Sequence, residues 1–590
     1  MRLPEQGVSR QRDHHSLGTW LRTVHHTHWS QLFWRVRYQI ERRQGVSRRA
    51  TERWRWQTDQ LPGLRADFPD IPLFHSPTPE VGESLHQLQQ GIFSHLHEPR
   101  ALGRDKTDWL LGPVAAGRLW AVTLQYHGWA SELAELAGHT EEAGHLFLSY
   151  VSDWMTRCEL ETPGSRDLAW NAYAVATRLT WWIRSYRMLP RTFWQRSAAF
   201  EGAFLRSLWQ QAAYLHDHLE WDLLANHLLR DAVGLAWAGR FFQEKQASAW
   251  LTTATELALA QAREQVLPDG GHFERSPMYH LHVMEDFLSL ALLVEDVTAQ
   301  HKLRETWRKM ADYLAWMRHP DGGVPLFNDA ALSAACEPAR MLHLGESVIS
   351  APRCGGRHFP YTGMAVWQGE PWSVFFDVGA VGPDYQPGHA HADTLSLECS
   401  YQGVRLFVDP GTYAYDNDDR RRYDRSTASH NTVCMDGQDS SEVWHIFRVG
   451  RRAYPINVNI AFDAGGMHAE ASHSGYNHLP GRPQHIRRLV VRDHAALLLT
   501  DQIVGSGKHL VQGGLLLAPE WTATAAGGGW MLSNGARRVR VTVRGPENLA
   551  LSEERRPYHP EFGLEVITTR LCWQVETHLP IEIITNVEGG

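Results

Sequence analysis

Residues 388–409 read Gly388-His389-Ala390-His391-Ala392-Asp393-Thr394-Leu395-Ser396-Leu397-Glu398-Cys399-Ser400-Tyr401-Gln402-Gly403-Val404-Arg405-Leu406-Phe407-Val408-Asp409. Residues 394–401 alternate apolar and polar, Gln402-Gly403 is a two-residue turn, and 404–409 return, so the stretch predicts a β-hairpin. Side chains two apart on a strand share a face. His389 and His391, at the start of the first strand, are therefore expected to converge on one ligand or metal. Asp409 closes the second strand, and Ser429-His430-Asn431 brings a third imidazole. Chemistry is expected where these ionisable groups gather.

The hairpin has neighbours of its own kind. Residues 372–378 read as a strand, and 487–491 with 496–501 flank a turn at Asp493-His494. Around Asn534-Gly535 a further hairpin alternates Val539, Val541 and Val543 with Arg538, Arg540, Thr542 and Arg544. Many strands, tight turns and no intervening helices mean an antiparallel β-sandwich. Upstream the period changes to that of helices, as at 120–124, 168–182, 199–216 and 247–266, with breaks at Pro163-Gly164 and Pro268-Asp269-Gly270-Gly271. Such a run stacks as a solenoid or closes into an α/α toroid. The first 85 residues are Arg-rich, with Trp29, Phe33, Trp34 and Tyr38 at helical spacing and a Pro-rich connection over 62–79. The expected architecture is α+β and multidomain: a helical extension (1–85), a helical domain (86–350) and a β-sandwich (351–590), the boundary near 345–358. A ligand site belongs between the two large domains.

With 590 residues, 43% apolar and 21% charged, the composition is that of an ordinary globular protein. A net charge of -8 gives no global attraction to nucleic acid, so an anionic substrate needs a local basic patch. Arg35, Arg37, Arg42, Arg43, Arg48 and Arg49 read either as such a patch or as a solvated helix face. The six Cys are scattered without metal or disulfide spacing and read as free thiols. No run approaches a membrane span, so no membrane insertion is expected. The basic N-terminus lacks the apolar core of a signal peptide, which points to the cytoplasm, or to a periplasmic or secreted location if the true start lies elsewhere.

Two segments of the helical half carry unusual side chains. Asn226-His227 sits in an apolar helical stretch, where Asn is disfavoured unless its amide has a task. Asp269-Gly270-Gly271-His272-Phe273-Glu274-Arg275-Ser276-Pro277-Met278-Tyr279-His280 combines a glycine turn with a helix start at Ser276-Pro277, which would present Tyr279 and His280 to the groove. Downstream, Arg420-Arg421-Arg422 and Arg425 fall between Asp409 and His430, and guanidinium groups pair bidentately with carboxylates and sulfates.

Together with Asp409-Pro410-Gly411-Thr412-Tyr413 and His430-Asn431-Thr432-Val433, these motifs make the chain resemble the heparinase II/III-type polysaccharide lyases over roughly residues 100–460. The resemblance implies an (α/α) toroid followed by an antiparallel β-sandwich. It implies β-elimination on a uronate-containing anionic polysaccharide: a glycosaminoglycan, an alginate or a bacterial exopolysaccharide. Asn226, helped by His227, would hold the uronate carboxylate, with Tyr279 and His389 moving protons on either side of the sugar. His391, Asp409 and His430 match metal positions of part of the family and would hold one structural Zn²⁺, with no organic cofactor. Substrate contacts are expected from Arg275, Arg422 and Arg425, with sugar stacking on Tyr126, Trp129, Trp170 and Tyr173. Two other readings stay open: a non-catalytic polysaccharide-binding protein of capsule or exopolysaccharide assembly, and a glycoside hydrolase, which needs two carboxylates flanking the bond. The sequence leaves the oligomeric state undetermined.

Overall fold

The computed structural model describes residues 17–43, 51–74, 81–111, 117–345, 354–463, 465–492 and 496–590. Arg48 and Arg49, the side chains of Arg42 and Arg43, residues 75–80 of the Pro-rich connection, the Asp493-His494 turn and residues 346–353 of the expected boundary lie outside them.

Successive helices Glu141–Arg157, Ala172–Met188, Ala198–Asp217, Ala225–Phe241, Lys245–Gln265, Pro277–Leu293 and Val297–Trp316 build the helical half. The helix expected at 168–182 starts at Ala172 because Asn171 caps it, its Oδ1 accepting the Ala174 N–H at 3.3 Å. Ala225–Phe241 is the innermost helix: every residue on it is buried except His227 and Arg230. It packs against Ala172–Met188, Lys245–Gln265 and Pro277–Leu293. Gly234 permits the tightest of these crossings, since a Cβ there would sit 2.6 Å from the Ala176 Cα. A helix buried on all sides exposes polar residues only where something must reach them. His227 and Arg230 therefore mark the wall of a cleft.

The second half holds antiparallel sheets of eight, five and four strands. The five-stranded sheet runs Gly355–Phe359, Met364–Gln368, Trp372–Asp377, Leu397–Tyr401, Val404–Phe407, in that order. The turn at Gln402-Gly403 has φ of 47° and 81°, the mirror-image geometry of tight hairpins, and pairs Tyr401 with Val404. In Arg537–Arg544 the valines are inside and Arg538, Arg540 and Arg544 outside, as the alternation requires. The chain is thus a helical toroid followed by a β-sandwich.

Two expectations fail: the β half is not free of helices, since Asp419–Arg425 is one, and the strand expected from residue 394 is not there. The strand after the histidines begins at Leu397, and residues 388–396 are irregular, with Leu395 at φ 65°. Backbone partners for this segment come from elsewhere. The His391 N–H donates to Asn328 Oδ1 (2.9 Å), the His389 carbonyl accepts from the Asp329 N–H (2.9 Å), and the Ala392 N–H donates to the Arg425 carbonyl (3.0 Å). The strand pleat therefore does not govern His389 and His391, and the two rings diverge.

Candidate active site

The cleft between the halves holds about 330 Å³ and is lined by Tyr126, Tyr173, Arg230, Tyr279, His282 and Tyr415 among others. Tyr279 stands in the first turn of Pro277–Leu293, whose start is capped as expected: Ser276 Oγ accepts the Tyr279 N–H at 3.2 Å. The same Oγ donates to the Asp329 carbonyl at 2.6 Å. From the β half the His389 ring stacks directly on the Tyr279 ring, centroids 3.7 Å apart and 13° from parallel. The phenol hydroxyl is hydrogen-bonded to Tyr415 at 3.0 Å. Burial, the neighbouring Tyr415 phenol and the Asp329 charge hold the Tyr279 hydroxyl far above its ordinary range, so it keeps its proton at neutral pH.

His389 Nδ1 bonds the buried Glu274 carboxylate. Burial alone would push Glu274 up, but the charge and hydrogen bond of His389 outweigh it, and the carboxyl lies below its usual value. An ionised carboxylate only accepts, so Nδ1 carries a proton and Nε2 is the ring nitrogen that Glu274 leaves free. Among the described residues Nε2 has no hydrogen-bond partner.

On the toroid wall, Asn226 is buried and its Oδ1 has no partner among the described residues. Leu224 and Ala225, just before it, adopt φ of 64° and 54°, a strained conformation for residues with a Cβ. His227 Nδ1 donates to Glu220 at 3.0 Å. Burial lowers its pKa, but the Glu220 charge and hydrogen bond prevail and raise it, favouring the imidazolium. The Tyr173 ring lies 5.1 Å from His227, and the Tyr126 ring 5.6 Å from Tyr173.

Behind His389 lies a second buried cluster. Ligand atoms of His391, Asp409 and His430 all fall within 4.8 Å of one another. His391 Nε2 donates to Asp329 at 2.8 Å and His430 Nδ1 to Asp409 at 2.7 Å, which leaves His391 Nδ1 and His430 Nε2 buried without partners. Burial depresses His391 to about 3 and His430 to about 4, so both rings are neutral, while it pushes Asp409 up.

The heparinase II/III N-terminus model matches residues 82–343 and the heparinase II/III-like C-terminal model matches residues 351–586. The chain belongs to the heparinase II/III-like family of polysaccharide lyases. A heparin-sulfate lyase of Bacteroides stercoris is 24% identical over 477 residues, 71% of this chain and 67% of that protein. One of Pedobacter heparinus is also 24% identical, over 60% of this chain and 57% of its own length. A heparinase III crystal structure superposes with a TM-score of 0.73 at 18% identity, covering 91% of this chain and 88% of the other.

Of the heparinase-type site residues expected from sequence, Tyr126, Tyr173 and Tyr279 line the cleft, His227 adjoins it through Tyr173, and Asn226 precedes His227 on the same helix. Tyr279 and His389 meet directly, and rings stacked at 3.7 Å admit no sugar between them, so the two present to a substrate from one side and not from either side of it. Five expected binders do not line the cleft. Trp129 is core, packed on Phe93, Trp109 and Tyr150. Trp170 is buried with its Nε1 donating to the Cys158 carbonyl at 2.7 Å. Arg275 is spent on the backbone, donating to the carbonyls of Thr362 (2.8 Å), Phe273 (3.3 Å) and Tyr361 (3.3 Å). With Asp269, which accepts the Tyr361 and Thr362 N–H groups at 2.8 Å each, it clamps the glycine turn to the β half. Arg425 is fully buried, donating to the carbonyls of Ala390, Trp444, His445 and Arg448. Arg422 is solvent-exposed and pairs with Asp419 one turn away on its own helix.

Sequence reasoning passed over Tyr415, Glu220 and Asp329. Asp329 takes both Arg421 guanidinium nitrogens as well as His391. The only sequence signal for it was the Asn328-Asp329 pair after an apolar run.

Proposed function

We propose that this lyase cleaves a uronate-containing polysaccharide of the glycosaminoglycan type by β-elimination. The observation that carries the reading is the Tyr279–His389 stack at the cleft, with His389 Nδ1 fixed on Glu274. The His389 Nε2 lone pair accepts the C5 proton. The C5–H electrons form the C4=C5 double bond, the C4–O bond breaks, and the protonated Tyr279 phenol gives its proton to the departing oxygen. Positioned groups of this kind each contribute roughly 10²–10⁴-fold.

The C5 proton is acidic enough only when the neighbouring carboxylate is neutralised. The Asn226 amide, through its Nδ2–H donors, and the His227 imidazolium supply that charge relief. Heparan-type chains are the first substrates to test, because the curated relatives are heparin-sulfate lyases.

The cluster behind His389 fits one Zn²⁺ held by His391, Asp409 and His430. Two buried ring nitrogens with lone pairs and no partner, beside a carboxyl that burial disfavours, are donors that a divalent cation satisfies. When bound, the ion would neutralise Asp409 and tie the loop carrying His389, a supporting role; the proton transfers stay with Tyr279 and His389.

The deciding assay incubates the purified protein with heparin, heparan sulfate, hyaluronan, chondroitin and alginate and follows the ultraviolet absorbance of the unsaturated uronate. A rise that Tyr279→Phe and His389→Ala abolish supports elimination. New reducing ends without that absorbance mean hydrolysis and overturn the proposal.

A further inference from the structure

The N-terminal arm is built inside out. Helix Leu17–His25 rests on the β half through polar contacts: Thr19 and Arg22 bond Glu442 (2.9 and 2.8 Å), and Trp444 Nε1 donates to Thr23 Oγ1 (3.1 Å). Helix Trp29–Arg43 rests on the toroid: the Tyr38 hydroxyl donates to the Leu219 carbonyl (2.6 Å) and Arg35 to that of Asp222 (3.3 Å). Thr19, Thr23 and Gln31 are the buried residues of the pair. Two Trp join these contacts, Trp20 packing edge-on against Trp444 and Trp34 stacking on Trp221. The other large apolar side chains are outside: Leu17, Leu21 and Val24 on the first helix, and Trp29, Phe33, Val36 and Ile40 on the second, are between 42% and 86% exposed. Their spacings (i, i+4, i+7 and i, i+4, i+7, i+11) put each set on one helix face. Scattered exposed apolar residues are ordinary, but seven on one arm at helical spacing form a contact surface.

We propose that this outward face of the arm docks on an anionic lipid bilayer, with the protein lying on the membrane rather than crossing it. Charge selects this occupant. Residues 1–55 contain twelve Arg and no Lys against four acidic residues, in a chain whose net charge is -8. A second copy would bring two identical, strongly basic segments together. An anionic polysaccharide would engage the guanidinium groups but leave Leu17, Leu21, Val36 and Ile40 in water. An anionic bilayer satisfies both, its headgroups meeting Arg and its acyl boundary taking the apolar strip. No helix among the described residues is long and apolar enough to cross a membrane, which leaves the interfacial mode. The arm lies outside both family-model matches, which begin at residue 82, so this surface is separate from the lyase fold.

The test floats the full-length protein with vesicles of phosphatidylcholine alone and with vesicles containing about one-third phosphatidylglycerol. The expected result is co-flotation with the anionic vesicles only, reversed by high salt. The triple variant Trp29→Ser, Phe33→Ser, Ile40→Ser should partition at least tenfold more weakly while its circular dichroism and thermal midpoint match wild type. Absence of wild-type flotation, or equal flotation of the variant, overturns the proposal. So does a concentration-dependent dimer, seen by sedimentation without lipid, that the triple variant abolishes.

Discussion

At Glu274, burial that would neutralise a lone carboxyl is outweighed by His389, and the resulting carboxylate fixes the imidazole so that only Nε2 is free to accept a proton. Glu274→Gln removes the charge and allows the wrong tautomer. The expected outcome is a fall in kcat of roughly 10²–10⁴-fold with a thermal midpoint close to wild type, read by initial rates and melting; an unchanged kcat would remove Glu274 from the mechanism. At the buried trio the expectation concerns metal. Dialysis against a chelator should lower the thermal midpoint, added Zn²⁺ should restore it, and Asp409→Asn should abolish the response. A midpoint indifferent to chelation, with no metal found by elemental analysis, would leave His391 and His430 as hydrogen-bond struts.

Elements position these residues through crossings and clamps that tolerate little change. Gly234→Ala places a methyl 2.6 Å from the Ala176 Cα between two central helices, and overpacking of this kind costs about 1–3 kcal/mol, measurable by urea unfolding. Two of the three arginines expected to bind substrate, Arg422 and Arg425, separate by role. Arg425 ties the Ala390 carbonyl to those of Trp444, His445 and Arg448, so Arg425→Ala should destabilise by about 2–4 kcal/mol, whereas the exposed Arg422→Ala should change stability by less than about 0.5 kcal/mol. A selective rise in KM for Arg425→Ala without loss of stability would contradict this assignment. Non-glycine residues at positive φ collect beside the site: Leu224 and Ala225 before Asn226, Arg275 before the Tyr279 helix, and Asn328 before Asp329. Strain of this kind persists where surrounding contacts over-determine the backbone, and around Arg275 its own bonds to the Thr362, Phe273 and Tyr361 carbonyls supply those contacts.

Across the molecule, several histidines are buried as neutral rings. His280 donates Nε2–H to the Met310 carbonyl (3.1 Å), and burial lowers it to about 3. The unfolded chain takes up that proton below about 6.5 while the folded chain refuses it, so the His280 contribution is complete above that pH. It is lost on acidification by about 1.4 kcal/mol per pH unit until the folded value is reached. Because buried carboxyls such as Asp286, raised to about 7, oppose this trend, the readout is a difference. The stability advantage of wild type over His280→Gln should shrink steadily from pH 6.5 toward 4. A gap that stays constant would mean that His280 is protonated in the fold.

The sequence by itself determined the two periodicities, the helix start at Ser276-Pro277 and the hairpin at Gln402-Gly403, and it singled out Asn226, Tyr279 and His389 as candidates. Those features are local: a period, a cap, a turn and a motif are each written within a few consecutive residues. Tertiary structure alone decided the partners. Whether Arg275 and Arg425 would meet a substrate or a carbonyl, and whether Trp129 would be wall or core, depended on backbone brought from distant parts of the chain. The divergence of His389 and His391 has the same origin, because Asn328 and Asp329, some sixty residues upstream, take the hydrogen bonds that a neighbouring strand would otherwise have made.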